Sequence, residues 1–241
     1  MAVSIDTVYQ KVLALANKEQ RGYITPQEFN LLANQAQLLI FEQYFYDIDI
    51  AYEQQTGNSG EYSDRLDIIS EKIAPFEQWK VAMSAVSGND LTLPTTTEVH
   101  KLGTVFYAAG AYDVEVERVD KNDLHYMERT ALATPTDDRP VYVRKTDEII
   151  KLFPSSPTVA YTTANITCNY IAKPTQAIWG YVVVNEQAMY DATTSTDFEL
   201  QASEENELIY KILELAGVIL NKPGLTQVAR DEETAVQQLK Q

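Results

Sequence analysis

Few side chains in this chain can ligate a metal or attack a carbonyl, and those few lie far apart in the sequence. There are two histidines, His100 and His125, and one cysteine, Cys168. A single cysteine rules out a disulfide framework and a cysteine-rich zinc site. The nine glycines are scattered, and none leads into the Gly-Lys-Ser/Thr of a phosphate loop. Gly-x-Ser-x-Gly, Cys-x-x-Cys and His-Glu-x-x-His do not occur. The carboxylate runs Asp137-Asp138 and Asp231-Glu232-Glu233 read as a solvated turn and a helix face, and the two histidines read as structural. A substrate or carbohydrate pocket in the β-rich part of the chain would be sought first at Trp79 and Trp179, although tryptophans in strands more often sit in a core. No catalytic, cofactor-binding or metal-binding set emerges, so the expectation is a protein that is not an enzyme.

The most suggestive spacing runs from Asn17 to Phe29. Counted from Asn17, Gly22 is sixth, Ile24 eighth and Glu28 twelfth, which is the register of an EF-hand calcium loop. The ligand chemistry fails. Glu19 and Arg21 fill the third and fifth places, and a guanidinium in the cage would repel the cation it should hold. The same residues make a well-formed helix start instead. Thr25 is the expected N-cap, Pro26 the first helical residue and Glu28 the return partner of a capping box. Ile24 and Phe29 are placed to close a hydrophobic staple, and Gly22 to reverse the chain.

Helices and strands must position whatever the chain presents. Ile5–Lys18 and Pro26 to about Tyr52 carry apolar residues at threes and fours, the second with Phe29, Leu32, Ala33, Ala36, Leu39, Ile40, Tyr44 and Ile48. The second helix would be roughly 40 Å long at its normal rise, enough to span a domain or lie beside a copy of itself. A third helix is expected from about Ser63 to Ile73, stopped by Pro75. From Phe76 onward, short strand-like runs alternate with turn residues: 91–94, 104–108, 112–118, 140–144, 148–153, 158–171 and 179–184. A short helix at 123–130 crosses between strands. Their spacing favours an antiparallel sheet or sandwich over βαβ units. Ser203 is the expected cap of a helix with Glu204 and Glu205 in its first turn, ended by Asn221–Gly224, and a weaker helix follows over 225–239. The fold class expected is α+β. Its N-terminal segment 1–75 and C-terminal segment 201–241 form a helical bundle, and the region 76–200 is a central β insertion.

The chain carries 35 acidic and 19 basic residues, a net charge of −16, which opposes tight binding to DNA or RNA phosphates. Fifteen tyrosines against seven phenylalanines suit either partly polar interfaces or strands. No apolar run is long enough to span a membrane, and Met1–Asp6 lacks the regions of a signal peptide, so a cytosolic site of synthesis is expected.

Asn17-Lys-Glu-Gln-Arg-Gly-Tyr-Ile-Thr-Pro-Gln-Glu-Phe-Asn30 with Leu32–Ala36 resembles a segment of virion proteins of tailed bacteriophages, notably the crAss-like podoviruses. Phe198–Leu208 and Ile212–Gly217 resemble the end of the same proteins, and Lys145–Pro157 and Asn169–Pro174 fit more loosely. The resemblance implies a head-to-tail connector: an adaptor or tail-hub ring of about twelve copies around the DNA channel. The partners it implies are further copies of the chain, the portal protein, adjacent tail or ring proteins and, in passing, genomic double-stranded DNA. It implies no cofactor and no membrane. Such a subunit belongs to the neck or tail of a virion assembled in the host cytoplasm, and an acidic lumen would let DNA slide without sticking. The competing classes are another virion protein on the capsid or tail, a calcium-responsive helix–loop–helix protein, and an enzyme or carbohydrate-binding module.

Overall fold

The computed structural model describes residues 2–18, 24–54, 61–108, 112–219 and 234. In chain order the elements are β1 (Ala2–Val3), α1 (Ile5–Lys18), α2 (Pro26–Gln54), α3 (Glu61–Ile73), β2 (Glu77–Ala82), β3 (Ser84–Ser87), β4 (Asp90–Thr92), β5 (Val99–Ala108) and β6 (Asp113–Arg118). Then come α4 (Lys121–Arg129), β7 (Val141–Arg144), β8 (Ile149–Phe153), β9 (Ile166–Ala172), β10 (Tyr181–Val184), β11 (Gln187–Tyr190), β12 (Phe198–Gln201) and α5 (Glu205–Ile219). The fold is mixed α+β, in two compact units: Met1–Pro75 with Pro174–Gln241, and Phe76–Lys173. Residues 174–200, expected within the β insertion, therefore fold with the helices. The loop positions Glu19, Arg21 and Gly22, and the helix over 225–239 apart from Thr234, lie outside the described residues.

In the first unit, α5 packs on α1 and α2, and α3 packs on α2. The start of α2 is built as its sequence requires. Thr25 N–H and Oγ1 both donate to Glu28 Oε2, at 2.9 and 2.8 Å, and Glu28 N–H donates back to Thr25 Oγ1 at 3.3 Å. Ile24 and Phe29, the residues expected to form the staple, are both buried. The start of α5 differs from expectation. A 3-10 turn over Ala202–Glu204 precedes it, and Ser203 Oγ faces Gln201 and Glu204 side chains rather than capping the helix. Glu204, expected in the first turn of the helix against its dipole, lies in that 3-10 turn, fully buried and ion-paired to Lys72 of α3 at 3.0 Å. β1 pairs antiparallel with β12, which ties the N-terminus to the lead-in of α5.

In the second unit, eight strands form one sheet in the order β2-β9-β5-β6-β7-β8-β4-β3. β2 and β3 stand at opposite ends of that order, yet Met83 alone separates them in the chain. The sheet must therefore curl until its two ends are the halves of one bent strand, which is a barrel rather than a two-layer sandwich. Met83 is buried at the bend, and its N–H donates to Ile166 O at 3.1 Å. Inward residues from around the circuit form one cluster, among them Leu91, Val105, Val116, Tyr142, Ile150 and Cys168. Outside the barrel, α4 packs over Val141 and Val143 of β7 and Phe153 of β8, with Leu124 and Met127 half-buried over them. All pairings but one are antiparallel. β6 and β7 are parallel, joined by the crossover helix α4, so one βαβ unit occurs where none was expected. The run 158–171 is a strand only from Ile166, because Asn165 Oδ1 accepts the Thr162 N–H at 2.7 Å and folds the preceding residues into a turn.

Hydrogen bonds from Thr25, backbone first and hydroxyl second, hold the Glu28 carboxyl below its ordinary value of 4.5. A lowered folded-state value stabilises the native chain above pH 4.5 and loses that contribution as pH falls through the lowered value. Thr25→Ala is expected to destabilise the chain by about 1 kcal/mol in urea unfolding at pH 7. Glu28→Gln should lower the melting temperature at pH 7 and leave it closer to the parent's at pH 3. Equal melting temperatures at pH 7 would show that the cap contributes nothing.

Candidate interaction surface

The residues with chemical potential are not brought together. His100 lies on β5 and His125 on α4, both exposed. Among the described residues, no group of three or more His, Cys, Asp or Glu side chains is placed to hold a metal. The Glu28 carboxylate, twelfth in the calcium register, is engaged by Thr25. Asp137 differs from the solvated turn residue expected. Its Oδ2 accepts the Thr158 N–H at 2.9 Å, hydrogen bonding from Thr158 holds its carboxyl below the usual range, and its Oδ1 is buried without a partner among the described residues. Asp231–Glu233 lie outside the described residues.

A groove of about 560 Å³ on the second unit is lined by Glu115, Glu117, Arg118, Asp138, Arg139 and Tyr142 among others. Neither tryptophan lines it. Trp79 is 75 % exposed on β2, with Lys80 Nζ 5.3 Å from its ring centroid. Cys168 points into the barrel interior, where burial pushes its thiol up to about 12. It is a small apolar filler rather than a nucleophile.

Trp179 is the opposite case. It is buried in the first unit, and the route by which it gets there is the most specific feature of the fold. Asn30, Asn34 and Gln37 lie on α2 at i, i+4 and i+7, facing the extended segment 175–179. Asn30 Oδ1 accepts the Trp179 N–H at 2.8 Å, and its Nδ2 donates to Trp179 O at 3.3 Å. Asn34 repeats the pattern at Ala177, with both distances 2.9 Å. Gln37 Nε2 donates to Thr175 O at 2.8 Å. The spacing has a simple geometric origin. Four residues of helix rise about 6 Å and two residues of extended chain about 6.6 Å, so carboxamides at i and i+4 meet alternate peptide groups. The third rung is incomplete: Thr175 N–H goes to Glu199 Oε2 at 3.1 Å, and Gln37 Oε1 is buried with no partner among the described residues.

This ladder sets the Trp179 ring against Tyr9, centroids 4.1 Å apart, and lets its Nε1–H donate to Asp6 Oδ1 at 3.0 Å. Tyr9 in turn meets the staple residue Phe29 edge-on at 4.8 Å. Tyr181 and Tyr190 flank the same indole, each 5.9 Å away, and they are the base of the β10–β11 hairpin. Gly180 links the two. A β-carbon there would lie 2.8 Å from the Thr194 carbonyl carbon, so no larger residue fits. The sequence does hold a signal for the ladder, namely three carboxamides at helical spacing interrupting an apolar face.

Protein-family models give no match to this chain, and neither do curated proteins. No helix among the described residues is long and apolar enough to cross a membrane.

The thiol chemistry is directly testable. Native protein at pH 8 should release less than about a tenth of the colour expected from one thiol with a disulfide reagent, and the full amount in denaturant. Rapid reaction of the folded chain would place Cys168 outside the barrel core.

Proposed function

We propose that the chain is a structural virion protein of a tailed phage, a subunit of a head-to-tail ring of about twelve copies between portal and tail. The observation that carries this reading is that the two stretches with the strongest resemblance, 17–36 and 198–217, are far apart in sequence yet belong to one compact unit. A resemblance confined to unrelated loops would not do so. We read the terminal helices of that unit as a bundle whose free side meets neighbouring subunits. On α2, Leu31 and Tyr46 are 75 % and 66 % exposed, two large apolar side chains set among the exposed Gln35, Glu42 and Asp49 on the side of the helix away from its own core. Closing a ring requires heterologous contacts that repeat by rotation, and a long straight helix offers such an edge. The net charge of −16 supports a channel wall that does not retain DNA, provided the acidic groups face the lumen. The role is one of assembly, with no reaction and no cofactor.

Light scattering and negative-stain imaging of the purified chain, alone and with portal protein, test this. The expected result is a closed ring of about twelve copies, formed either alone or on the portal. A chain that stays monomeric and ignores the portal would contradict the connector role and favour a capsid- or tail-associated virion protein.

A further inference from the structure

The β10–β11 hairpin is built in a way its own chain does not explain. Its turn residues Asn185 and Glu186 both have positive φ, 51° and 64°, as a two-residue hairpin turn of matching twist requires. The register pairs Tyr181 with Tyr190, Val182 with Met189, Val183 with Ala188 and Val184 with Gln187. Beyond the tyrosines at its base, the polar–apolar alternation of a half-buried strand is missing. Val183 and Ala188 share one face, and Val182, Val184 and Met189 share the other with Gln187, the residue next to the turn. Val182, Val183 and Met189 are 53 %, 64 % and 57 % exposed. Among the described residues β10 and β11 pair only with each other, so each leaves an outer edge of unpaired peptide groups. A two-stranded hairpin whose two faces are mostly apolar is marginal alone and prone to gain a strand.

Charge selects the partner. Residues 181–190 contain one ionisable charge, Glu186, in a chain of net charge −16, and they contain no lysine or arginine. Phosphate-bearing surfaces, whether nucleic acid or anionic lipid, find nothing there to bind. Two copies of this chain repel each other almost everywhere, and a neutral, apolar edge is where that repulsion is weakest. We infer that the hairpin is the self-association element of this protein, the outer edge of β11 in one copy pairing with the outer edge of β10 in the next. That order keeps every neighbour antiparallel, joins two different edges and so propagates from copy to copy, as ring closure demands. Pairing of like edges would be isologous and would stop at two copies. This inference deepens the ring reading and rests on it.

Two experiments decide the matter. The doubly substituted chain Val182→Lys/Val184→Lys carries charges on an exposed edge and should keep its fold and melting temperature while its self-association weakens by about tenfold or more. In the second, Val182→Cys and Met189→Cys chains are mixed and oxidised, Cys168 being too buried to compete. The expected product is the mixed disulfide between the two variants. If the parent assembles and the lysine variant assembles equally well, the hairpin is not the contact and the ring reading survives. If only like-with-like disulfides form and the particle is a dimer, the head-to-tail pairing and the ring both fail. A parent that is monomeric with and without portal overturns both readings. A lysine variant that is monomeric like its parent but much less stable shows the hairpin is covered by its own chain, which also overturns the inference.

Discussion

The carboxamide ladder on α2 is the contact on which the first unit depends. An extended segment such as 175–179 has peptide groups on both sides that must be satisfied: Ile178 exchanges both of its hydrogen bonds with Thr196, at 3.0 and 2.8 Å, and the side facing α2 has no strand beside it among the described residues. Asn30 and Asn34 act as the missing strand, each offering one donor and one acceptor to a single residue. Their effect reaches beyond local hydrogen bonding. By fixing residues 177 and 179 they deliver the indole to Tyr9 and Asp6, and the indole then seats both tyrosines at the root of the hairpin. Phe29, in the first turn of α2 beside the capping box, joins the same set through Tyr9, so the start of α2 and the ladder support one aromatic cluster.

The second unit is organised by a different constraint, closure. A sheet that returns to its starting strand has its core inside itself and needs no covering layer on most of its outer face. That explains why Trp79 lies outward while Cys168 and several tyrosines are enclosed. Tyr107 and Tyr161 stack edge-on inside, and each hydroxyl reaches a backbone carbonyl, Val159 O at 2.6 Å and Pro154 O at 3.4 Å. Their abundance thus has two sources. Some tyrosines fill the barrel with a ring and a satisfied hydroxyl, while Tyr46, Tyr112 and Tyr126 stand exposed.

The long amphipathic helices were legible because periodicity and capping agree. α1 and α2 begin where their sequences indicate, and the buried set on α2 includes Phe29, Leu32, Ala33, Ala36, Ile40 and Tyr44. The strand β2 was not legible. A register shift between Gln78 and Val81 breaks its alternation, Lys80 has φ of 50°, and Asn169 Oδ1 takes the Lys80 N–H. Barrel closure was hidden for a related reason, since it depends on one bent strand being shared by two ends of a sheet. The segment 174–200 looked like more β insertion because its strand texture is real. What assigns it to the helices is pairing with side chains of α2, a long-range fact that local patterns do not encode. The hairpin's apolar triplet Val182–Val184 was visible, but only the structure shows that nothing among the described residues covers it.

Assembly, on this account, begins with the ladder, because the hairpin is only as well placed as the segment that carries it. The most direct measurement is hydrogen exchange and urea stability of Asn34→Ala beside the parent chain. Losing both bonds to Ala177 should cost about 2–4 kcal/mol. Exchange should quicken over residues 175–190 and stay unchanged over the barrel strands of Phe76–Lys173. An Asn34→Ala chain as stable as its parent, with hairpin exchange unaltered, would contradict the claim that this ladder positions the surface.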